Sequence, residues 1–363
     1  MKMCQAFSKQ GLDVYLLTPD WKAAEAYKKT DEFEFYDIDR CFSIVKIHLL
    51  PGKGNIPSYM LGIANQLRRL KPDIVYGRWL FGCFISAILG FITVFETHAP
   101  VWRESSLARV SLKVLLKNKN LKAFFVISHA LRRKYENIGY ISHDRINVLP
   151  TAADEVKPHV PISRWPGRKN SLQIGYVGHL YPGKGMEVVD KIAALLPNSD
   201  FHVIGGMEKD IAFWKERSNH SNILFHGFVT QDELSGYFDH LDICLLPNQK
   251  TVRTSGWSGT KKDLNIGDYT SPMKMFQYMA HRKAIVASNL PVIQEVLTSQ
   301  NSILVDPEDT QAWVDAINSL ENKSLRNKIA SNAYDNFMKN YRWEERAEQV
   351  IKIIYKKPSP MAH

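Results

Sequence analysis

Residues 174–185 read IGYVGHLYPGKG. An apolar run ends at Val177, Gly178, Gly183 and Gly185 fill the turn, and a helical pattern opens near Lys184. A strand that runs through a glycine turn into a helix N-terminus brings backbone N–H groups, the positive end of the helix dipole and here a lysine toward one anion. The spacing approaches the phosphate-loop pattern G-x-x-x-x-G-K. Gly185 stands where that pattern needs Ser or Thr, so the Mg²⁺-binding hydroxyl is missing, and no convincing acidic partner strand is seen, which argues against a nucleoside-triphosphatase. Residues 268–295, DYTSPMKMFQYMAHRKAIVASNLPVIQE, form a second unit of the same kind. Ser271 and Pro272 predict the N-cap and first position of a helix over 273–280, with Lys274 in its first turn and Gln277 one turn later. A strand over 284–287 follows.

Outward from these stretches the same alternation runs the length of the chain. Apolar runs predict strands at 14–17, 43–49, 73–76, 91–95, 123–127 and 146–149, then at 172–177, 201–204, 222–225, 242–246, 284–287 and 302–305. Most lack a period of two, which points to parallel strands covered by helices on both faces. Two such blocks predict an α/β protein of two doubly wound, Rossmann-like domains. Residues 155–170 carry Pro158, Pro161 and Pro166 among polar residues and read as the interdomain linker. The domains are thus expected at 1–158 and 159–342. Helical patterns fill 325–357 with a break at 340–342. The chain opens on a helix over residues 1–10 where a doubly wound domain opens on a strand, so it reads as beginning one strand late.

Composition narrows the class. The 363 residues are 45% hydrophobic and 23% charged, which excludes disordered, collagenous and disulfide-scaffold proteins. Of the net charge of +10, residues 1–150 carry +9, so the first half is built to meet something anionic. Arg109, Lys113 and Lys117 recur every four residues on a predicted helix, with Leu107, Val110 and Val114 on another face and Arg132, Arg133 and Lys134 soon after. That pattern fits anionic lipid headgroups, or a merely solvated basic face. No nucleic-acid-binding module is present. Cys4, Cys41, Cys83 and Cys244 form no CxxC, which fits a reducing compartment. Lys2 and Lys9 interrupt any signal-peptide core. Residues 79–95 lack charge, but as one helix they would span only about 25 Å. Gly90 divides them into a buried helix and a buried strand.

Taken together, the two opening stretches resemble the donor-binding half of retaining glycosyltransferases of family 4, which have the GT-B fold. The family's VGRL-x-x-x-KG appears as Val177-Gly178-His179-Leu180 followed by Lys184-Gly185. Its SP-x-K-x-x-EYMA pattern appears from Ser271-Pro272-Met273-Lys274 through Gln277-Tyr278-Met279-Ala280, running on to Ser288-Asn289-Leu290-Pro291. His226-Gly227-Phe228-Val229, the strand from Leu241-Asp242 to Pro247, and Tyr341 through Ala347 match further motifs. In the first half, Phe95-Glu96-Thr97-His98 resembles YE-x-H and Val126-Ile127-Ser128 resembles V-x-S. The opening helix resembles the family's first helix, which supports an absent first strand and glycine turn.

The resemblance implies two domains facing a cleft, with acceptor on the first and nucleotide-diphosphate sugar on the second. It implies transfer with retention to a saccharide or lipid-linked acceptor, and no metal or other cofactor. Lys184 would clamp the leaving phosphates, Gly178 and Ser271, Pro272 and Met273 would supply backbone contacts, and His98 would orient sugar and acceptor. Lys274 and Gln277 would complete the donor site, and the helix at 343–357 would pack back on the first domain. The implied setting is bacterial surface polysaccharide or glycolipid assembly in the cytoplasm, at the inner face of the membrane. Two positions depart from the pattern. His179 replaces the usual arginine, exchanging a fixed charge for a neutral donor. Gln277 replaces the glutamate that holds both ribose hydroxyls, and the acidic residue expected eight positions earlier falls at Tyr269, next to Asp268. These departures keep a second reading open, a non-catalytic scaffold that binds sugar nucleotide or a membrane surface. A nucleotide-sugar 2-epimerase shares the fold but needs acid–base residues around the sugar that the sequence does not place. The polar loop 248–267 is expected to contribute specificity.

Overall fold

The computed structural model describes residues 1–20, 31–50, 55–162, 164–231, 233–253 and 265–355. Residues 254–264 of the expected specificity loop lie outside them. The chain divides into two compact units, Met1–Pro150 with the helix Trp343–Tyr355, and Thr151–Arg342.

The first unit holds β1 (Tyr15–Pro19), β2 (Ser43–Ile47), β3 (Val75–Gly77), β4 (Thr93–Thr97), β5 (Leu121–Val126) and β6 (Ile146–Val148). β3, β4, β5 and β6 lie side by side in that order in a parallel sheet, and β1 pairs with β2 in a separate parallel ladder. β4 is buried along its whole length because helices cover both faces. The uncharged run splits at Gly90 into the helix Leu80–Ile88 and β4. Among the described residues no helix is long and apolar enough to cross a membrane. The helix Trp343–Tyr355 packs against the helix Lys2–Lys9 and against β5.

The second unit holds β7 (Gln173–Val177), β8 (Asp200–Ile204), β9 (Ile223–Gly227), β10 (Ile243–Leu246), β11 (Ala284–Ser288) and β12 (Ile303–Val305). They form one parallel sheet ordered β12-β11-β10-β7-β8-β9. β7, β8, β10 and β11 are buried end to end. Their core includes Ile174, Tyr176, Phe201, Val203, Leu245, Val286 and Trp313. All twelve expected strands form, within two or three residues of their expected ends.

The stretch 155–170 departs from expectation. It reads as a linker from its prolines, yet it is anchored along the second unit, and the division falls at Pro150/Thr151. Arg168 Nη2 pairs at 2.7 Å with Asp200, which is buried. Trp165 stacks on His202, His226 and His240, and its indole N–H donates to Gln173 Oε1 at 2.8 Å. Gln173 donates its own amide protons to the Arg168 and Ser171 carbonyls. Its oxygen therefore accepts from His202 Nε2–H at 2.7 Å, and His202 Nδ1 accepts from His226 Nε2–H at 2.9 Å. Proline counts reveal a non-helical path, but not the aromatic contacts that pin it.

Burial, aided by the neighbouring imidazole, brings the His202 pKa down from 6.5 to about 3, and burial brings His226 to about 4. Both rings are neutral in the native state at mildly acidic pH, where the unfolded chain binds their protons. Stability is therefore expected to fall as pH drops through 6.5 and to keep falling toward pH 4. Urea denaturation at pH 7.5 and pH 5 checks this. His202→Gln should flatten the profile; an unchanged slope would remove this pair as its source.

Candidate functional site

The strand order of the second unit reverses at β7 and β10, which are neighbours from which the chain winds outward in opposite directions. In such sheets ligands bind beyond the carboxyl ends of the strands at that reversal. Gly178 follows β7, and the second stretch reaches the same strand end, where the Tyr278 hydroxyl accepts from Val177 N–H at 3.0 Å.

The glycine turn is tightly closed. A Cβ on Gly183 would lie 1.9 Å from the Thr251 carbonyl oxygen, and one on Gly185 2.4 Å from that of Pro247. Both residues also have positive φ, so no other residue type fits. The closure uses the turn's own N–H groups. Gly178 donates to the Ile204 carbonyl at 2.9 Å, Gly183 to Glu187 Oε1 at 2.9 Å and Lys184 to the Tyr181 carbonyl at 2.9 Å. Gly178 thus already has an internal acceptor for the N–H expected to face an anion. The helix starts at Met186, with Gly185 as its cap.

The lysines remain. Lys274 stands in the first turn of the helix Met273–Ala280. Its Nζ is buried, has no hydrogen-bond partner among the described residues, and lies 4.0 Å above the Tyr176 ring. Lys184 is half-buried and close enough for its charge to act on Lys274. Burial pushes both ammonium pKa values down, and for Lys274 the Lys184 charge pushes further. A buried cation without a counter-charge is costly. Asn248 Oδ1, two residues past β10, Ser288 Oγ, at the end of β11, and Glu187 Oε2 are also buried with no hydrogen-bond partner among the described residues. The ring of His179 is stacked on Tyr181 at 4.8 Å. Partial burial and the Lys184 charge lower its pKa, so it is neutral at pH 7.

Ser271 does not cap the helix. Pro272 holds the cap position without a side-chain bond, and Ser271 Oγ accepts from Thr151 N–H at 3.2 Å. Gln277 lies on the same helix face as Lys274, one turn on, and is half-buried.

His98 sits in the first unit, just past β4. Its Nε2 lies 2.6 Å from Glu96 Oε1, and Arg78 Nη2 lies 3.0 Å from its Nδ1. An ionised Glu96 can only accept, so the His98 proton sits on Nε2 and is donated to it, while Arg78 Nε, 3.2 Å from the same nitrogen, and Nη2, nearer to it than to Nδ1, lie against the ring. Glu96 is buried. Its Oε2 pairs with Arg346 Nη2 at 2.9 Å and accepts the Tyr76 hydroxyl. Burial would raise the Glu96 pKa, but Arg346, His98 and Arg78 together hold it well below the carboxylate range. Burial lowers that of His98 despite Glu96. Among the described residues no three His, Cys, Asp or Glu side chains converge as a metal site requires.

Family models bear on what these two arrangements belong to. Residues 1–157 match the one described as Glycosyltransferase Family 4, and residues 171–323 the one described as Glycosyl transferases group 1. The chain belongs to the family 4, group 1 glycosyltransferases. No curated protein matches the sequence. Solved structures share the GT-B fold. Sucrose-phosphate synthase from Thermosynechococcus elongatus is 14% identical with a TM-score of 0.71, over 97% of this chain and 90% of that one. Anabaena HepE in complex with UDP is 16% identical with a TM-score of 0.68, over 97% and 94%. The lipopolysaccharide outer core galactosyltransferase WaaB is 14% identical with a TM-score of 0.61, over 90% and 87%.

Within this glycosyltransferase fold, Lys184, Lys274, Gln277 and His179 all belong to segments that meet beyond β7 and β10, and His98 belongs to the other unit. The sequence reading missed Arg78, Tyr76 and Arg346 around His98, and Asn248 and Ser288 near the lysines. Glu96 and Arg346 both lie in quoted motifs, but 250 positions separate them, and nothing local marks them as partners.

Proposed function

We propose that this glycosyltransferase moves a sugar from a nucleotide-diphosphate sugar to a saccharide or lipid-linked acceptor, with retention and without a metal. The observation that carries this reading is Lys274 Nζ, buried with no counter-ion among the described residues, near Lys184 at the point where the second sheet reverses. The glycosidic bond to the β-phosphate breaks, the acceptor oxygen bonds to the same face of the anomeric carbon, and its proton leaves on the phosphate. Lys184 and Lys274 stabilise the growing negative charge, aided by the N-terminus of the helix Met273–Ala280. Gln277 accepts from one ribose hydroxyl, His179 donates a neutral hydrogen bond, and His98 contacts the transferring sugar.

The HepE structures hold UDP and UDP-glucose, which supports a uridine donor as the first to test. Thermal shifts with UDP, GDP, ADP, CMP and dTDP, each with and without Mg²⁺, test the reading. One nucleotide should stabilise the protein equally in both conditions, by about 2.7 kcal/mol at 100 times its dissociation constant. No shift with any of them overturns the donor site. A shift without donor hydrolysis or transfer favours the non-catalytic scaffold, which Gln277 also favours.

The setting proposed is bacterial surface polysaccharide or glycolipid assembly at the inner membrane face. In the helix Ser106–Lys117, Ala108, Ser111, Leu112, Leu115 and Leu116 are buried. Leu107, Val110 and Val114 are exposed, so the apolar positions read as another face lie in solvent beside Arg109, Lys113 and Lys117. An apolar ridge next to a basic one fits an anionic bilayer surface. Arg109→Gln/Lys113→Gln/Lys117→Gln should cut cosedimentation with phosphatidylglycerol vesicles by more than about tenfold, since each cation contributes about 1 kcal/mol. Binding that persists in the triple variant removes this face.

A further inference from the structure

The charges around Glu96 do not balance, and the imbalance has a location. One carboxylate meets two guanidinium groups, Arg346 Nη2 at 2.9 Å on Oε2 and Arg78 Nε at 3.1 Å on Oε1. Arg346 is buried, with 3% of its side chain exposed, and donates its Nε–H to the Pro150 carbonyl at 2.8 Å and a second Nη2 bond to the Leu149 carbonyl. It is the counter-ion of Glu96. The Tyr76 hydroxyl fills Glu96 further. Arg78 has 53% of its side chain exposed. Its Nε and Nη2 are held against Glu96 and His98, and its Nη1 has no partner among the described residues. One positive charge is therefore surplus, and it rests on a guanidinium fixed in direction, with N–H groups still to donate. β3 and β4 are neighbours in register, Gly77 opposite Phe95, so Arg78 and His98 stand together past the carboxyl ends of the strands.

We propose that Arg78 receives a phosphate group on the acceptor, beside the ring of His98. This rests on the glycosyltransferase reading above and names a substrate class for it. A planar guanidinium held by its inner edge can give its remaining N–H groups to two phosphate oxygens, which favours a phosphate over a neutral hydroxyl. The net +9 of residues 1–150 draws the same charge. The group sits on a lipid-like or a soluble acceptor, and the two are separable.

The test labels arginines of the full chain with phenylglyoxal and reads Arg78 by peptide mass spectrometry, while UDP binding is measured by thermal shift in the same preparation. Octyl phosphate is expected to slow Arg78 labelling about tenfold or more, and octyl glucoside to leave it unchanged. Equal protection by glycerol 3-phosphate assigns a soluble phosphorylated acceptor; protection by octyl phosphate alone assigns a lipid-like one. Arg78→Gln should weaken octyl phosphate binding about tenfold or more with UDP binding intact, since Arg346 still balances Glu96 and no buried charge is orphaned. Equal protection by octyl glucoside, or none by either phosphate while UDP still binds, overturns the proposal alone. Loss of the UDP response in the wild-type chain overturns the donor reading instead.

Discussion

Lys274→Met is expected to raise the melting temperature of the unliganded protein by several degrees and to abolish its response to nucleoside diphosphate. The two effects have one cause. Lys274 Nζ is buried over the Tyr176 ring with no hydrogen-bond partner among the described residues, so the unliganded fold bears the cost of a desolvated ammonium. Methionine keeps the unbranched stem and its contact with the aromatic face and removes that cost. A gain of about 1–3 kcal/mol corresponds to roughly 2–12 °C for a domain of this size. With the charge gone, a bound diphosphate loses a charge-assisted contact in a site of low dielectric, and the stabilisation of about 2.7 kcal/mol expected at 100 times the dissociation constant should disappear. Differential scanning fluorimetry with and without UDP reads both effects. A lower melting temperature with a retained UDP response would make Lys274 a structural group and sink the assignment. Lys184→Ala separates the two roles: that side chain is only half-buried, so its loss should weaken nucleotide binding with little effect on the unliganded protein.

Arg346→Met is expected to cost about 3–5 kcal/mol, measured by urea denaturation, because it strands the Glu96 carboxylate in the interior. Glu96 and Arg346 have 1% and 3% of their side chains exposed, and Arg346 also satisfies the carbonyls of Leu149 and Pro150. Arg78 lies against the same carboxylate but is half exposed, so its attraction is weakened by solvent. Glu96→Gln/Arg346→Met should recover a large part of the loss, since no buried charge then lacks a partner. A loss under 1 kcal/mol in the single variant would mean that Glu96 takes up a proton or water at little cost. The variant reaches function as well, because Glu96 accepts from His98 at 2.6 Å and sets its tautomer. Donor turnover in Arg346→Met should therefore show an altered pH profile as well as a lower rate.

Glycine positions and apolar runs carried most of the fold. Buried parallel strands must be continuous apolar segments, which makes β4, β7, β8, β10 and β11 legible from composition, and the half-buried strands follow from shorter apolar runs between helical patterns; the helix Met273–Ala280 follows from its Ser-Pro start. The lysines could be placed near an anion because a strand, a turn and a helix N-terminus fix direction over a dozen residues. Chain path without regular structure was not legible in this way. Three prolines look alike in a free linker and in a strap, and residues 155–170 are a strap only because Trp165 and Arg168 find His202, His226 and Asp200. Local chemistry also misjudged the turn. Gly178 and Gly183 offer N–H groups in sequence, but those protons already have acceptors at Ile204 and Glu187.

The sequence by itself determined the alternation of strands and helices, the family motifs, the placement of Lys184, Lys274 and His98 at element ends and of Gln277 one turn into its helix, because each follows from spacing within one supersecondary unit. Only the tertiary structure decided which charges are balanced. Arg346 neutralises Glu96 from 250 positions away, Arg78 is left with the surplus, and Lys274 Nζ is buried with no counter-ion among the described residues. Electrostatic energy depends on separation and burial in space, and neither is encoded by distance along the chain.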